Sequence, residues 1–247
     1  MYLIPLLLAN MLFAMTGEEL SILMDNRKSP DDISSDMNME ITNKKGKKRS
    51  LKVKSISKDN SKKQILWFLS PADDKGIAYL KIEHENKDDE IRLWLPAFKK
   101  IRRISAKKKA DSFMGSDLSY EDMTSRPINN YKFSIIREEL IDNNECYILK
   151  SEPKEGIESE YSKHLTWVTK DKYLPLKEDS YDNQNKLLKA KSFKYIDLNS
   201  FDLVSEIFVE NIQKKTNTLL KLSNLRVNTN VKDNLFQEKN MKRLPRK

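Results

Sequence analysis

Residues 37–53 read Met-Asn-Met-Glu-Ile-Thr-Asn-Lys-Lys-Gly-Lys-Lys-Arg-Ser-Leu-Lys-Val. Met37, Met39 and Ile41 alternate with Asn38, Glu40 and Thr42, and Leu51 and Val53 alternate with Lys52 and Lys54. Successive side chains of a strand point to opposite faces, so this spacing gathers the apolar five on one side. Asn43-Lys44-Lys45-Gly46 supplies the turn between them. The stretch predicts a β-hairpin with one apolar and one wet face, the habit of antiparallel sheets.

The same period continues on both sides. Residues 64–70, which include Trp67 and Phe68, read as a fuller apolar strand, and 77–83 and 91–95 as two more. Ahead of the hairpin, residues 16–28 read as a helix. Thr16 can cap it, Glu18 and Glu19 suit its first turn, and Leu20, Leu23 and Met24 share a face. After an interruption between Pro96 and Pro127, strands resume at Tyr131 and run to Val227, separated by tight polar turns such as Asn143-Asn144. Leu235 and Phe236 in the tail are expected to plug into the fold. The expectation is mainly β with few helices: about eleven antiparallel strands in sequence-local order, forming a barrel or a sheet wrapped part-way around a helix.

Composition limits what such a sheet can enclose. Of 247 residues, 38% are hydrophobic and 34% charged. That is too little apolar material to fill a wide barrel, so a partly open interior is expected, and an apolar hollow is a default ligand site. The net charge of +9 suits an anionic partner, nucleic acid or phospholipid, although a lysine-rich proteome explains it equally. The single Cys146 cannot form an internal disulfide, and its strand-like surroundings mark it as a small core residue.

Residues 1–15 carry no charge and are rich in Leu, Ile, Phe and Met; the run closes through Leu12-Phe13-Ala14 and gives way to polar Thr16-Gly17-Glu18-Glu19. They read as a secretory signal cut after Ala14, leaving 15–247 as one domain, or else as a buried N-terminal strand or helix. No Lys or Arg precedes the apolar run.

The Pro96–Pro127 interruption is the least sheet-like part. Lys99, Lys100, Arg102, Arg103, Lys107, Lys108 and Lys109 make it cationic; Phe113-Met114-Gly115 sets bulky apolar groups on a turn; Asp117, Glu121 and Asp122 follow. The cations serve either to touch phosphate headgroups or an acidic protein surface, or as a solvated rim. They lack the interleaved aromatics that single-stranded nucleic acid would stack on, so nucleic acid is not an expected partner.

Signals for catalysis are absent from this reading. His84 and His164 are far apart, no His/Cys spacing suits a metal, no Gly-rich phosphate loop occurs, and Asp111-Ser112 is not a nucleophile elbow. Asp117, Glu121 and Asp122 are more simply read as pairing with Lys and Arg or capping turns. No enzyme activity, cofactor or metal is expected.

Several stretches together resemble a known family. They are Met37-Asn38-Met39 with the Gly46 turn, Leu93-Trp94-Leu95-Pro96, Arg102-Arg103-Ile104-Ser105, Gly115-Ser116-Asp117-Leu118-Ser119-Tyr120-Glu121-Asp122, and Trp167-Val168-Thr169-Lys170-Asp171-Lys172-Tyr173-Leu174-Pro175. The chain resembles the outer-membrane lipoprotein-sorting (LolA-like) family over about residues 16–240, in the branch found with RND/MMPL-type exporters. The resemblance implies an incomplete eleven-strand antiparallel barrel of the LolA/LolB kind, closed on one side by helices. It implies a periplasmic carrier whose concave apolar face holds lipid or lipoprotein acyl chains, with transient contact to a membrane surface. On that reading Met37, Met39, Ile41, Leu51, Val53, Trp67, Leu93, Leu95, Phe113 and Met114 are candidate ligand contacts, and ordinary packing on a sheet face explains the same residues. The competing reading is an adaptor that docks on an RND-type exporter and carries nothing.

Overall fold

The computed structural model describes residues 15–85 and 87–245. The expected signal, residues 1–14, lies outside them. Within them, α1 (Gly17–Asp25) precedes β1 (Asp32–Thr42), β2 (Lys48–Lys58), β3 (Lys63–Ser70), β4 (Ala78–Ile82), β5 (Glu90–Leu95) and β6 (Lys100–Arg103). A long connection leads to β7 (Tyr131–Ile141), β8 (Asn144–Pro153), β9 (Tyr161–Thr169), β10 (Pro175–Asp182), β11 (Leu187–Leu198), β12 (Phe201–Asn211) and β13 (Thr216–Val227), and the short α2 (Glu238–Met241) follows.

The strands form one sheet in the order β6-β5-β4-β3-β2-β1-β13-β12-β11-β10-β9-β8-β7. The chain enters in the middle, runs to one edge, crosses to the other, and returns until β13 pairs with β1. Every pairing is antiparallel, and in the expected hairpin Met37 lies opposite Val53 and Met39 opposite Leu51.

Two expectations are corrected. There are thirteen strands among the described residues, not about eleven. The clearest addition is β6, Lys-Ile-Arg-Arg, whose charges hide its period. Lysine and arginine on an edge strand also discourage pairing with another chain. The sheet is open, as an incomplete barrel is: β6 and β7 are its two edges and do not pair. Second, helices occupy only part of what it encloses: α1 covers one end of its inner face. Its inner face is crossed instead by the irregular connection, residues 104–130. Twelve steps of about 4.8 Å would set the edges of a flat sheet roughly 58 Å apart. The connection spans them while folding back on itself, so the sheet curls, and Leu93 of β5 shares an apolar cluster with Val209 of β12.

α1 covers the β7–β9 end of this inner face. Thr16 and Glu19 form a reciprocal capping box, which satisfies backbone donors that a helix start leaves free. Leu20 is fully buried with Leu149 and Val168. Gly17 allows the approach, since a Cβ there would stand 2.5 Å from the backbone N of Ser134. On the outer face, Ile65, Trp67, Ala78 and Leu80 pack under Phe236 and Met241, as the tail reading expected. Asp32 ties that tail down: its carboxylate accepts hydrogen bonds from the Thr229 backbone (2.9 Å) and the Val231 backbone (3.0 Å). Cys146 is buried beside Ile148 and Trp167, and burial pushes its thiol pKa up.

Candidate functional site: an inner face with an apolar and a charged half

The connection over residues 104–130 divides the inner face in two. Its first turn reaches into the apolar half. Met114 and Gly115 both take left-handed backbone (φ 54° and 77°), which glycine tolerates at little cost. This reversal drives Phe113 inward until it is completely buried. Its ring meets Tyr79 at 5.2 Å, Tyr120 at 5.7 Å and Phe68 at 6.1 Å between centroids. Leu118 lies beside it.

The wall these groups meet contains most of the residues singled out from sequence. Met37, Met39, Leu51, Val53 and Leu93 are buried in this cluster, with Ile41, Leu95 and Met114 half-buried at its margin. Trp67 is not brought to them. It lies one position out of phase with Leu66 and Phe68, so it faces outward, where its Nε1 donates to the Asn240 carbonyl (3.1 Å). The space over the wall is taken by the connection's own Phe113, Leu118 and Tyr120.

Asp117 marks the passage to the polar half. Its backbone N donates to Thr218 Oγ1 (2.9 Å), whose hydroxyl in turn donates to its carboxylate (2.7 Å). Asp122 then enters a buried ion cluster. Lys189 Nζ reaches its carboxylate at 2.8 Å and Lys191 Nζ at 2.5 Å, and Tyr161 Oη donates to it at 2.9 Å. Lys191 also binds Glu178 (3.0 Å), which a two-pronged contact ties to Arg126 (2.6 and 2.8 Å). His164 is fully buried at the base, its Nδ1 2.8 Å from Ser180 Oγ.

Burial alone would keep these acids neutral. It does oppose the charge on Asp122, but Lys191 and Lys189 outweigh it and hold the carboxyl far below its usual range. Burial is overcome at Glu178 by Arg126 and then Lys191. His164 goes the other way: burial first, and Arg126 next, hold it well below the usual histidine range, so it is neutral. The pairing reading of Asp122 therefore stands, with partners that the sequence did not identify. Lys189 and Lys191 alternate with Leu188 and Ala190 along β11, which looks like an ordinary wet face turned to solvent. Only the register, Lys189 opposite Asn211 and Lys191 opposite Val209, turns them inward.

The cationic run lies outside both halves. Lys99, Lys100, Arg102, Arg103, Lys107 and Lys108 are exposed, and none forms an ion pair among the described residues. Lys109 is half-buried and bound to Asp89 (2.9 Å). Phe98, beside them, is 70% exposed. Two polar recesses flank the connection. One of about 720 Å³ is lined by Lys62, Glu83, His84, Arg103 and Arg126 among others. One of about 460 Å³ is lined by Lys107, Glu121, Glu158 and Glu160 among others.

Little besides side chains anchors the connection. Between its end residues, Ile104 and Asn130, its backbone-to-backbone hydrogen bonds are internal, such as Phe113 N to Leu118 O (2.7 Å) and Glu121 N to Lys109 O (2.8 Å). Among the described residues, no backbone hydrogen bond joins residues 105–129 to a strand of the sheet.

Comparison with known proteins matches this architecture. A family profile described as an uncharacterized protein family matches residues 60–243. The crystal structure of a DUF1329 family protein from Desulfovibrio piger is 33% identical, with a TM-score of 0.85 over 91% of this chain and 97% of that one. An outer membrane lipoprotein-sorting protein domain from Vibrio parahaemolyticus is 30% identical, with a TM-score of 0.84 over 92% and 98%. The LolA superfamily protein NE2245 from Nitrosomonas europaea, at 18% identity and a TM-score of 0.73 over 92% and 99%, shares the fold. No curated protein sequence matches the chain. The chain thus belongs to the DUF1329-like family of outer membrane lipoprotein-sorting proteins and shares the LolA fold.

Proposed function

We propose that this protein is a periplasmic carrier that takes lipid or lipoprotein acyl chains onto the apolar half of its inner face. One observation carries the reading: the wall of Met37, Met39, Leu51, Val53 and Leu93 is covered by an irregular connection held through side chains, not by a strand or helix of the fold. Phe113, Leu118 and Tyr120 occupy the space an acyl chain would take. A compact surface loop that bonds to itself can lift as a unit. Lifting it into water exposes the wall, at about 25 cal/mol per Å² of apolar surface; an incoming chain recovers about 0.8 kcal/mol for each methylene it buries. Opening is therefore coupled to loading, because the open form is favoured only when a chain covers the wall. Met37, Met39 and Met114 suit chains of varied shape, since thioether side chains adapt their packing.

Loading requires an encounter with a membrane. Six unpaired cations and the exposed Phe98 lie on β6 and its flanks. Each cation near an anionic leaflet contributes about 1 kcal/mol of attraction. The same rim suits docking on an RND/MMPL-type transporter that presents acidic groups. Among the described residues, no helix is long and apolar enough to cross a membrane.

The test is native mass spectrometry of the protein purified from an envelope fraction, with extraction and identification of bound lipid. Phospholipid or lipoprotein at near one-to-one supports carriage. Protein that stays empty there, and that takes up no acyl ligand when offered one, refutes it.

A further inference from the structure

We infer that the amphiphile accepted by this inner face is anionic, with its head group seated between Lys189 and Lys191 in the position occupied by Asp122. The inference rests on the carrier reading and adds the ligand's chemical class. Within ten residues the connection presents a greasy body, Phe113, Leu118 and Tyr120, and then a carboxylate, Asp122. It lays the body on the apolar wall and the carboxylate on the charged half. The segment that covers the site is thus itself arranged as an anionic amphiphile.

The donors that receive Asp122 belong to the sheet. Lys189 and Lys191 lie on β11 with side chains 5% exposed, and Tyr161 lies on β9, 2% exposed. Two ammonium groups and one phenol converge on a single carboxylate. The remaining contacts to Asp122, from the Ser119 backbone (2.8 Å) and Ser119 Oγ (3.0 Å), come from the connection itself and leave with it. When the connection lifts it also removes Arg126 from Glu178. Glu178 keeps Lys191 (3.0 Å), and Glu160 keeps a longer contact to Lys189 (3.3 Å). Each lysine then keeps one acid but loses its nearer one, Tyr161 Oη loses its acceptor, and buried donors left unsatisfied are costly. A neutral acyl ligand leaves that cost in place. A carboxylate or phosphate on the same chain removes it, by the charge-assisted hydrogen bonds these groups form.

The test uses the delipidated full chain and calorimetric titration with four probes: monopalmitoylglycerol, palmitate, palmitoyl lysophosphatidylglycerol and inorganic phosphate. The expected result is at least tenfold tighter binding of an anionic acyl probe than of monopalmitoylglycerol. Inorganic phosphate alone neither binds tightly nor displaces the acyl probes. Comparing the two anionic probes tells carboxylate from phosphate. Lys189→Met with Lys191→Met should abolish the preference, bringing the affinities of the anionic and neutral acyl probes to within about twofold of one another. Where that variant fails to fold, Asp122→Asn serves instead: it weakens the resident competitor and should raise affinity for all three acyl probes, the anionic ones keeping their tenfold lead. Equal binding of all three acyl probes overturns this inference and leaves the carrier reading standing. Tight binding of phosphate that displaces the acyl probes marks a free-anion site and overturns it as well. No binding of any acyl probe overturns the carrier reading and this inference together.

Discussion

Phe113 meets Tyr79 edge to face, the ring centroids 5.2 Å apart and the planes at 78°. One ring comes from the connection and the other from β4, so the contact joins the part proposed to move to the part that stays. Phe-to-Ala truncation in a packed interior costs about 3–5 kcal/mol. Here the loss should fall on the connection. Phe113→Ala is expected to speed amide exchange at Phe113, Tyr120 and Glu121 by tenfold or more, while β1 and β2 keep their protection. Equal loss of protection in β1 and β2 would show that the connection is part of one cooperative unit with the sheet.

Tyr79 presents the opposite case. Its hydroxyl is buried and has no hydrogen-bond partner among the described residues, and burial pushes its pKa well above 10. Leaving a buried donor unsatisfied costs about 1–3 kcal/mol. Tyr79→Phe keeps the ring contacts and removes that group. Thermal unfolding should show unchanged stability or a gain of about 1 kcal/mol; a clear drop in midpoint would mean the hydroxyl is engaged.

The apolar half was legible in the sequence because its signal is local. Met37, Met39, Leu51 and Val53 announce one face by spacing alone, and Thr16 with Glu19 announces a helix start. Trp67 was misleading for a physical reason. β3 is apolar on both faces, Leu66 and Phe68 inward and Ile65 and Trp67 outward, so period two cannot say which side faces the interior. The charged half was illegible for the converse reason. A lysine on alternate positions of a strand ordinarily faces water. Lys189 and Lys191 face inward because acids more than sixty residues away in the chain (Asp122) and on the neighbouring strand (Glu178) meet them there. Register and long-range charge pairing lie beyond any single-strand pattern.

Gly17 fixes where α1 sits. A Cβ at this position would come within 2.5 Å of Ser134 N and 2.6 Å of the Phe133 carbonyl carbon, and backbone atoms cannot yield as a flexible side chain does. Gly17→Ala should therefore lift the start of α1 from β7 and cost about 1–3 kcal/mol as overpacking, despite alanine's better helix propensity. Thr16→Ala, which removes only the cap, should cost about 1 kcal/mol. Urea unfolding of the two variants checks the order. Stabilisation by Gly17→Ala would mean that α1 does not dock this closely.

His164 should give the protein a pH-dependent stability in the mildly acidic range. Its folded-state pKa is held well below the usual value by burial and then by Arg126; Lys191 acts with them, and Glu178 and Asp122 act against. An unfolded histidine titrates near about 6.5. Above that pH both states carry a neutral ring and the full stability is present. As pH falls below about 6.5 the unfolded chain takes up a proton that the folded one refuses, so stability drops by up to about 1.4 kcal/mol per pH unit. Asp122 and Glu178, depressed in the folded state, act in the same direction only below about pH 4, where unfolded carboxylates protonate. Between pH 7 and 5 Glu121, whose pKa burial raises, acts in the opposite direction, so the share of the imidazole is read as the difference between wild type and a His164 variant. Urea unfolding across that interval should show stability falling more steeply in the wild type than in His164→Asn, whose amide can still meet Ser180. Identical slopes in wild type and His164→Asn would mean that His164 is not kept neutral by the fold.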